Sequence, residues 1–391
     1  MTAVRIIRPG LLTVVQDLGR WGYEHWGVMV GGALDEYALR WANALVGNGA
    51  GMPALEVTAF GPELEVVEEG ILGLAGADLG LAVNGGRWEP GESRWVEAGD
   101  RLRFGVRRWG FRAYLSFPGG ISASRVLGSA ATDLVAGVGG MQGRALRAGD
   151  VIQSANMSGA IARAPATTVR VSHAIRVMPG VRADRFPDGS WAQLLTRSFR
   201  VSADSNAIGL RLEGEAVAAP HGDWPSEGMA IGSIECPPSG HLLVLLKNRG
   251  SLGGYPALAH VIRADWPVLA QLAPGDMLGF YEVSLAEARA ALAVLEAQFT
   301  ATAGAIAPRS LVAPVTGLVR GMDGYGRLLP RPGEWVWQGQ VVRRVESMGW
   351  TTDVTAPFDG VLGEARAEGD LVEEGEVLCR IEGVGENDAI Y

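Results

Sequence analysis

The sequence predicts a mainly β protein, and three observations carry that reading. Fifty-six glycines in 391 residues punctuate the chain with tight turns. Helical periodicity is confined to a few short stretches, and the C-terminal region repeats itself. The body is expected to consist of two twisted, barrel-like β halves, with a small β-sandwich after them. Composition leaves open whether the two halves form one domain or two.

The elements follow in chain order. A glycine–aspartate turn recurs ahead of a strand at Gly99-Asp100, Gly149-Asp150, Gly275-Asp276 and Gly369-Asp370. In each, glycine supplies a positive φ and aspartate closes the turn onto backbone. Asp35 is placed to cap a helix through Val46, with Leu39, Ala42 and Leu45 on one face and Gly47 ending it. Asp265 with Pro267 opens a short helix near Val268 to Leu272. Ser284 and Glu287 make a capping box for a helix to about Phe299, whose stripe is Leu285, Ala288, Leu292, Leu295 and Phe299. The expected divisions are 1–160 and 161–299 for the two halves, a small-residue linker at 300–309, and a terminal domain at 310–384.

In that terminal domain, Leu311-Val312-Ala313-Pro314-Val315-Thr316-Gly317-Leu318 returns as Val354-Thr355-Ala356-Pro357-Phe358-Asp359-Gly360-Val361. Gly333-Glu334-Trp335-Val336-Trp337-Gln338-Gly339 returns as Gly369-Asp370-Leu371-Val372-Glu373-Glu374-Gly375. Two such copies bury each other's apolar faces in a sandwich joined by a central hairpin. The repeat resembles a biotinyl/lipoyl carrier domain, which presents a lysine between two methionines on that hairpin in its biotin form. Here Met348 is in place, but the lysine position is Gly349 and the second methionine is Trp350. Lys247 is the one lysine of the chain, so no biotin or lipoyl group is expected to be attached to it.

Composition excludes several classes. A net charge of −9 with scattered arginines argues against nucleic acid as partner. The longest strongly apolar run, Leu242 to Leu246, is too short to span a bilayer, and Met1 to Ile6 has no apolar leader, so a cytoplasmic protein is expected. Cys236 and Cys379 read as reduced core residues, and His25, His173, His221, His241 and His260 show no zinc-ligand spacing.

Three stretches carry candidate chemistry. Asp17 and Arg20 flank Gly19 at the end of an apolar strand, where an Arg fork either grips a carboxylate or amide or locks the loop in an ion pair. His25, between Tyr23 and Trp26, is either a neutral-pH base or a packed ring. Glu56 alternates with Thr58 on one strand face, suiting a buried polar pair or a catalytic carboxylate. The loop Lys247-Asn248-Arg249-Gly250-Ser251-Leu252-Gly253-Gly254-Tyr255-Pro256 follows an apolar strand. Its cations and Tyr255 suit a carboxylate or phosphate, and Gly253-Gly254 is either an anion-binding backbone nest or a plain turn.

Residues 10–20, 31–43 and 54–62, Ser226-Glu227-Gly228 and Gly253-Gly254-Tyr255-Pro256 occur in an order that resembles the allophanate-hydrolase-subunit-2 family, also called the KipA family or the 5-oxoprolinase C-subunit family. That family forms half of the carboxyltransferase region of urea carboxylase. The resemblance implies two cyclophilin-like β-barrel halves and a KipI-type (subunit 1) partner. It also implies a shared cleft for a small amide or carboxylate of the 5-oxoproline, urea or allophanate class. A third subunit or a separate biotin carrier protein, and ATP in the complex, come with the same resemblance. The family loop reads roughly Asp-Arg-Gln-Thr-Thr-Gly-Gly-Tyr-Pro, whereas this chain has Asn248, Arg249, Gly250, Ser251 and Leu252 before Gly253. Losing those groups changes what the loop can bind. The implied activities are ATP-dependent amide hydrolysis or carboxyl transfer. The alternative is a non-catalytic regulatory or binding paralogue.

Overall fold

The computed structural model describes residues 1–155, 173–220, 222, 224–305, 309–312, 317–320, 335–336, 341–347, 350–355, 360–367, 370–373 and 377–382. The fold is mainly β. In the first half a six-stranded sheet runs in the order Val151–Gln153, Ala3–Arg8, Glu63–Glu68, Arg101–Arg103, Ala82–Val83, Gly86–Arg87. A five-stranded sheet runs Leu12–Gln16, Ala54–Thr58, Trp109–Ser116, Gly70–Asp78, Glu92–Val96. Ile6, Leu55, Val57, Leu64, Leu74 and Leu115 are fully or almost fully buried in a single cluster drawn from both sheets. Burial of that apolar surface is the main stabilising term for this half.

In the second half seven strands close a barrel: Ala174–Pro179, Ala257–Val261, Ser233–Glu235, Leu243–Leu245, Gly209–Glu213, Phe199–Val201 and Met277–Glu282. Closure removes exposed sheet edges. The barrel core includes Ile175, Phe199, Leu212, Ile234, Val244 and Phe280, and Leu34 of the first half packs into it.

Helix α1 (Glu36–Leu45) begins as the sequence predicts, with the Asp35 carboxylate accepting from the Ala38 N–H at 2.8 Å. It lays Leu39 and Ala42 into a cluster with Ala75 and Tyr114 of the five-stranded sheet. Helix α2 (Ser190–Thr196) lies against the barrel strand Met277–Glu282. Helix α3 (Trp266–Gln271) has Pro267 in its first turn as expected, but Asp265 does not cap it. The Asp265 carboxylate instead takes Arg176, with contacts of 2.5 and 3.2 Å, and the Arg176 N–H at 2.8 Å. A charged fork and a free N–H across the strand outcompete a local cap.

Helix α4 (Leu285–Ala305) starts at the expected capping box, with Glu287 accepting from the Ser284 N–H at 2.7 Å. It runs to Ala305, past the end expected near Phe299. The stretch from Thr300 that reads as a linker is rich in alanine, the strongest helix former, and carries the helix on. Leu292 and Leu295 face the body as the stripe predicts, whereas Leu285 is 50% exposed. Arg40 on α1 grips Glu296 with two bonds of 2.9 and 2.7 Å and lies 4.0 Å over the Phe299 ring.

The recurring glycine–aspartate turn has one construction. Asp100, Asp150, Asp276 and Asp370 each accept, at 2.8 Å, the backbone N–H three residues back. Gly99, Gly149 and Gly275 have φ of 92°, 90° and 93°, as the third position of a type II turn requires.

The terminal repeat forms two four-stranded sheets, each mixing the copies. One runs Arg309–Val312, Val377–Glu382, Gly360–Ala365, Trp335–Val336, and the other Trp350–Thr355, Val341–Ser347, Gly317–Arg320, Leu371–Val372. Every position held by one copy in the first sheet is held by the other copy in the second. The hairpin tip Met348-Gly349, including the carrier position, lies outside the described residues.

Candidate ligand site at the seam between the halves

The loop 17–32 returns on itself through backbone. The Ala33 N–H bonds the Asp17 carbonyl at 2.8 Å, and the Arg20 N–H bonds the Val30 carbonyl at 2.8 Å. Gly32 is required at this closure, because a Cβ there would lie 2.6 Å from the Gly19 nitrogen. The Asp17–Arg20 ion pair considered from sequence is not formed among the described residues. Both side chains reach instead into the segment 126–131. Asp17 accepts from Ser129 Oγ and the Ala130 N–H, both at 2.6 Å, and from the Gly19 N–H at 2.8 Å. Arg20 donates to the Ala131 carbonyl at 2.5 Å, while its Nη1 is buried with no acceptor among the described residues. That nitrogen lies against Gly31, 3.2 Å from where a Cβ would stand, with Asn248 Oδ1 at 3.9 Å from the same point. Two glycines, Gly31 and Gly139, leave the guanidinium its space.

The second half reaches the same loop through Lys247. Its ammonium is buried, forms an ion pair with Glu36, donates to the Leu18 carbonyl at 3.1 Å and lies 5.8 Å from the Trp21 ring centroid. Burial pushes its pKa down, and Glu36 opposes that shift. The Gly31 N–H bonds the Lys247 carbonyl at 3.4 Å. Arg249 is also buried and donates to the Met229 carbonyl at 2.7 Å.

The remaining sequence candidates are spread out. His25 lies on an exposed turn, its ring 4.7 Å from Trp26. Glu56 is interior, accepting from the Tyr114 hydroxyl at 2.6 Å and the Leu34 N–H at 2.9 Å. Gly253 is extended and pairs with Glu227 in a short ribbon, Glu227–Gly228 against Leu252–Gly253. Neither Gly253 nor Gly254 has the positive φ of a backbone nest. Gly253 lets the Met229 side chain pack close, since a Cβ would lie 2.5 Å from Met229 Sδ and displace it. Tyr255 is 49% exposed beside that ribbon.

Sequence reading missed the polar network beneath the loop. Gln271 on α3 accepts from the Phe111 and Arg112 N–H groups at 2.8 and 3.0 Å. It donates to Asp35 Oδ2 at 2.7 Å and the Arg112 carbonyl at 3.0 Å. Tyr114 donates to Glu56 and accepts from the Asp35 N–H at 2.9 Å, so strand, helix cap and barrel helix share one buried set. Only the cap half of this network, Asp35 ahead of a periodic stretch, has a local sequence signal.

Burial pushes Asp35 from 3.8 to about 6. Folded Asp35 therefore holds its proton more tightly than the unfolded chain does. The stability tied to it is complete below the unfolded value and is lost as pH rises through 6, on the order of 3 kcal/mol at the limit. Asp35→Ser keeps a capping oxygen and removes the titration. Thermal unfolding between pH 4 and 7 is expected to show a flatter slope in this variant than in the wild type.

The carboxyltransferase domain family, subdomains A and B, matches residues 26–282, and the biotin-requiring enzyme family matches residues 313–381. The 5-oxoprolinase C-subunit of Escherichia coli (strain K12) is 35% identical over 287 residues, covering 73% of this chain and 93% of that protein. Urea amidolyase of Lachancea kluyveri is 30% identical over 317 residues, covering 73% of this chain and 17% of that protein. The crystal structure of Kluyveromyces lactis urea carboxylase superposes with a TM-score of 0.71 at 29% identity, over 76% of this chain and 29% of that one. The chain thus spans nearly all of the bacterial protein and a minor part of the fungal enzymes.

Proposed function

The chain belongs to the carboxyltransferase-domain family, and from that premise we propose that it is one subunit of a 5-oxoprolinase- or urea-class heterocomplex. It binds a small amide or carboxylate at the seam and acts together with a KipI-type subunit. ATP, where the reaction consumes it, is bound in the complex. The observation that carries this reading is Arg20 Nη1, a buried charged donor with no acceptor among the described residues, set against a glycine wall. A ligand carbonyl or carboxylate oxygen supplies what that donor lacks. Lys247 and Asn248 approach the same loop from the other half, so the site depends on both.

The terminal domain has the carrier scaffold without its attachment chemistry. A biotin or lipoyl amide needs a lysine amine, and Lys247, the one lysine of the chain, is buried in its ion pair with Glu36. The residues do not fit a covalently held group. A carboxylated biotin, if the reaction uses one, arrives on another protein.

The expected result is that the purified chain alone turns over neither 5-oxoproline nor urea. Co-expressed with a subunit-1 protein it forms a stable hetero-oligomer. Turnover by the isolated chain contradicts the reading. Streptavidin blots of the native chain are expected to stay blank, and a positive band contradicts the assignment of the terminal domain.

A further inference from the structure

A pocket that Arg20 does not line lies where the two halves and α4 meet. Leu34, Leu246, Leu269, Leu292 and Leu295 face it, drawn from the first half, the barrel, α3 and α4. It encloses about 40 Å³. A water needs on the order of 10–15 Å³ by the same measure, so the space takes about three carbon or oxygen atoms. Water finds few partners on a leucine wall, and an unfilled wall forfeits dispersion contacts, so the space suits an alkyl tail.

The charged groups around the pocket are unevenly matched. Three cations line it, Arg40, Lys247 and Arg263, against two carboxylates, Glu36 and Glu296. Arg40 engages Glu296 with both arms, at 2.9 and 2.7 Å. Lys247 holds Glu36 and donates to the Leu18 carbonyl. Among the described residues Arg263 comes no nearer to a carboxylate than 3.9 Å, at Glu36. Its side chain is 60% exposed, and its guanidinium lies 5.6 Å from the ring centroid of Trp266, which also lines the pocket. The indole holds that cation at the mouth. The pocket therefore carries one positive charge more than its carboxylates balance.

We propose that this pocket binds a short-chain aliphatic monocarboxylate, its carboxylate on Arg263 at the mouth and its alkyl tail among the leucines. The enclosed space sets a tail of about three carbons, as in butyrate. One negative charge balances the surplus guanidinium, whereas a second would face Glu36 and Glu296. The inference goes beyond the seam reading. Arg20, Gly31 and Asn248 do not line this pocket, and Lys247, which does, is already committed to Glu36 and Leu18. Because α4 supplies Leu292 and Leu295, the site needs that helix as well as both halves.

Calorimetric titration of the full chain with acetate, propionate, butyrate and hexanoate tests this, with butyramide as the neutral control. Affinity is expected to rise about fourfold for each methylene from acetate to butyrate, and to rise no further at hexanoate. Arg263→Gln, at an exposed position, should weaken butyrate binding about tenfold. Leu292→Phe, which adds bulk on the α4 side, should remove the gain from acetate to butyrate. Arg20→Lys tells this pocket from the seam, since butyrate held at the seam would lose affinity in that variant. Four results would overturn the proposal: no butyrate binding, butyramide binding as well as butyrate, affinity still rising through hexanoate, or wild-type behaviour in Arg263→Gln and Leu292→Phe. A loss confined to Arg20→Lys would overturn it too.

Discussion

Gln271→Ala is expected to lower the stability of the body by about 3–5 kcal/mol, read as a fall in its unfolding midpoint in urea. The glutamine is buried and makes four hydrogen bonds that join α3 to the strand Trp109–Ser116 and to the cap of α1. Truncation leaves two N–H groups, one carbonyl and the Asp35 carboxylate in the interior without their partner. Gln271→Glu separates the contributions. Its oxygens still accept from Phe111 and Arg112, but a carboxylate then faces Asp35 Oδ2 and the Arg112 carbonyl. Comparable losses in both variants fit the network as described. If Gln271→Glu matched the wild type at pH 8, the donor side of the amide would carry no weight.

Lys247→Met has the second large effect, about 1.5–3 kcal/mol, because it removes the buried ammonium of a pair whose carboxylate is partly exposed and lies 3.9 Å from Arg263 as well. The methionine matches the stem in length but leaves Glu36 without its ammonium and the Leu18 carbonyl without its donor. Glu36→Gln in the Lys247→Met background removes the carboxylate left with Arg263 alone and should recover part of the loss. Simple additivity of the two changes in chemical denaturation would mean that the two side chains are not coupled. The pair also matters for the seam. Lys247 and the Gly31 N–H are the links by which the barrel half holds the loop that carries Arg20.

How far the sequence reveals this molecule depends on the range of the interaction. The Asp35 cap, the Ser284–Glu287 capping box and the glycine–aspartate turns are written within four residues of themselves, and the structure forms all of them. The terminal repeat is legible because its two copies share two motifs in the same order, and the exchange of strands between sheets follows from that pseudo-symmetry. Asp265 went elsewhere because Arg176, 89 residues away, offered a stronger partner than its own helix. The candidate site shows the same division. Asp17, Arg20 and Lys247 stood out as charges beside apolar strands. What they touch, 106 to 229 residues away along the chain, is set by how the halves meet and has no local signature. The Gly253-Gly254 pair looked like a nest because glycine permits one, yet here the missing Cβ makes room for Met229.

The most direct test of the seam is a titration of 5-oxoproline into the reconstituted complex, carried out with wild-type chain and with Arg20→Lys. Lysine keeps the charge but lacks the planar fork that bonds Ala131 while holding a second donor toward Gly31. The account predicts a loss of affinity of about tenfold or more, with the hetero-oligomer still assembled. Undiminished binding by an assembled Arg20→Lys complex would contradict it.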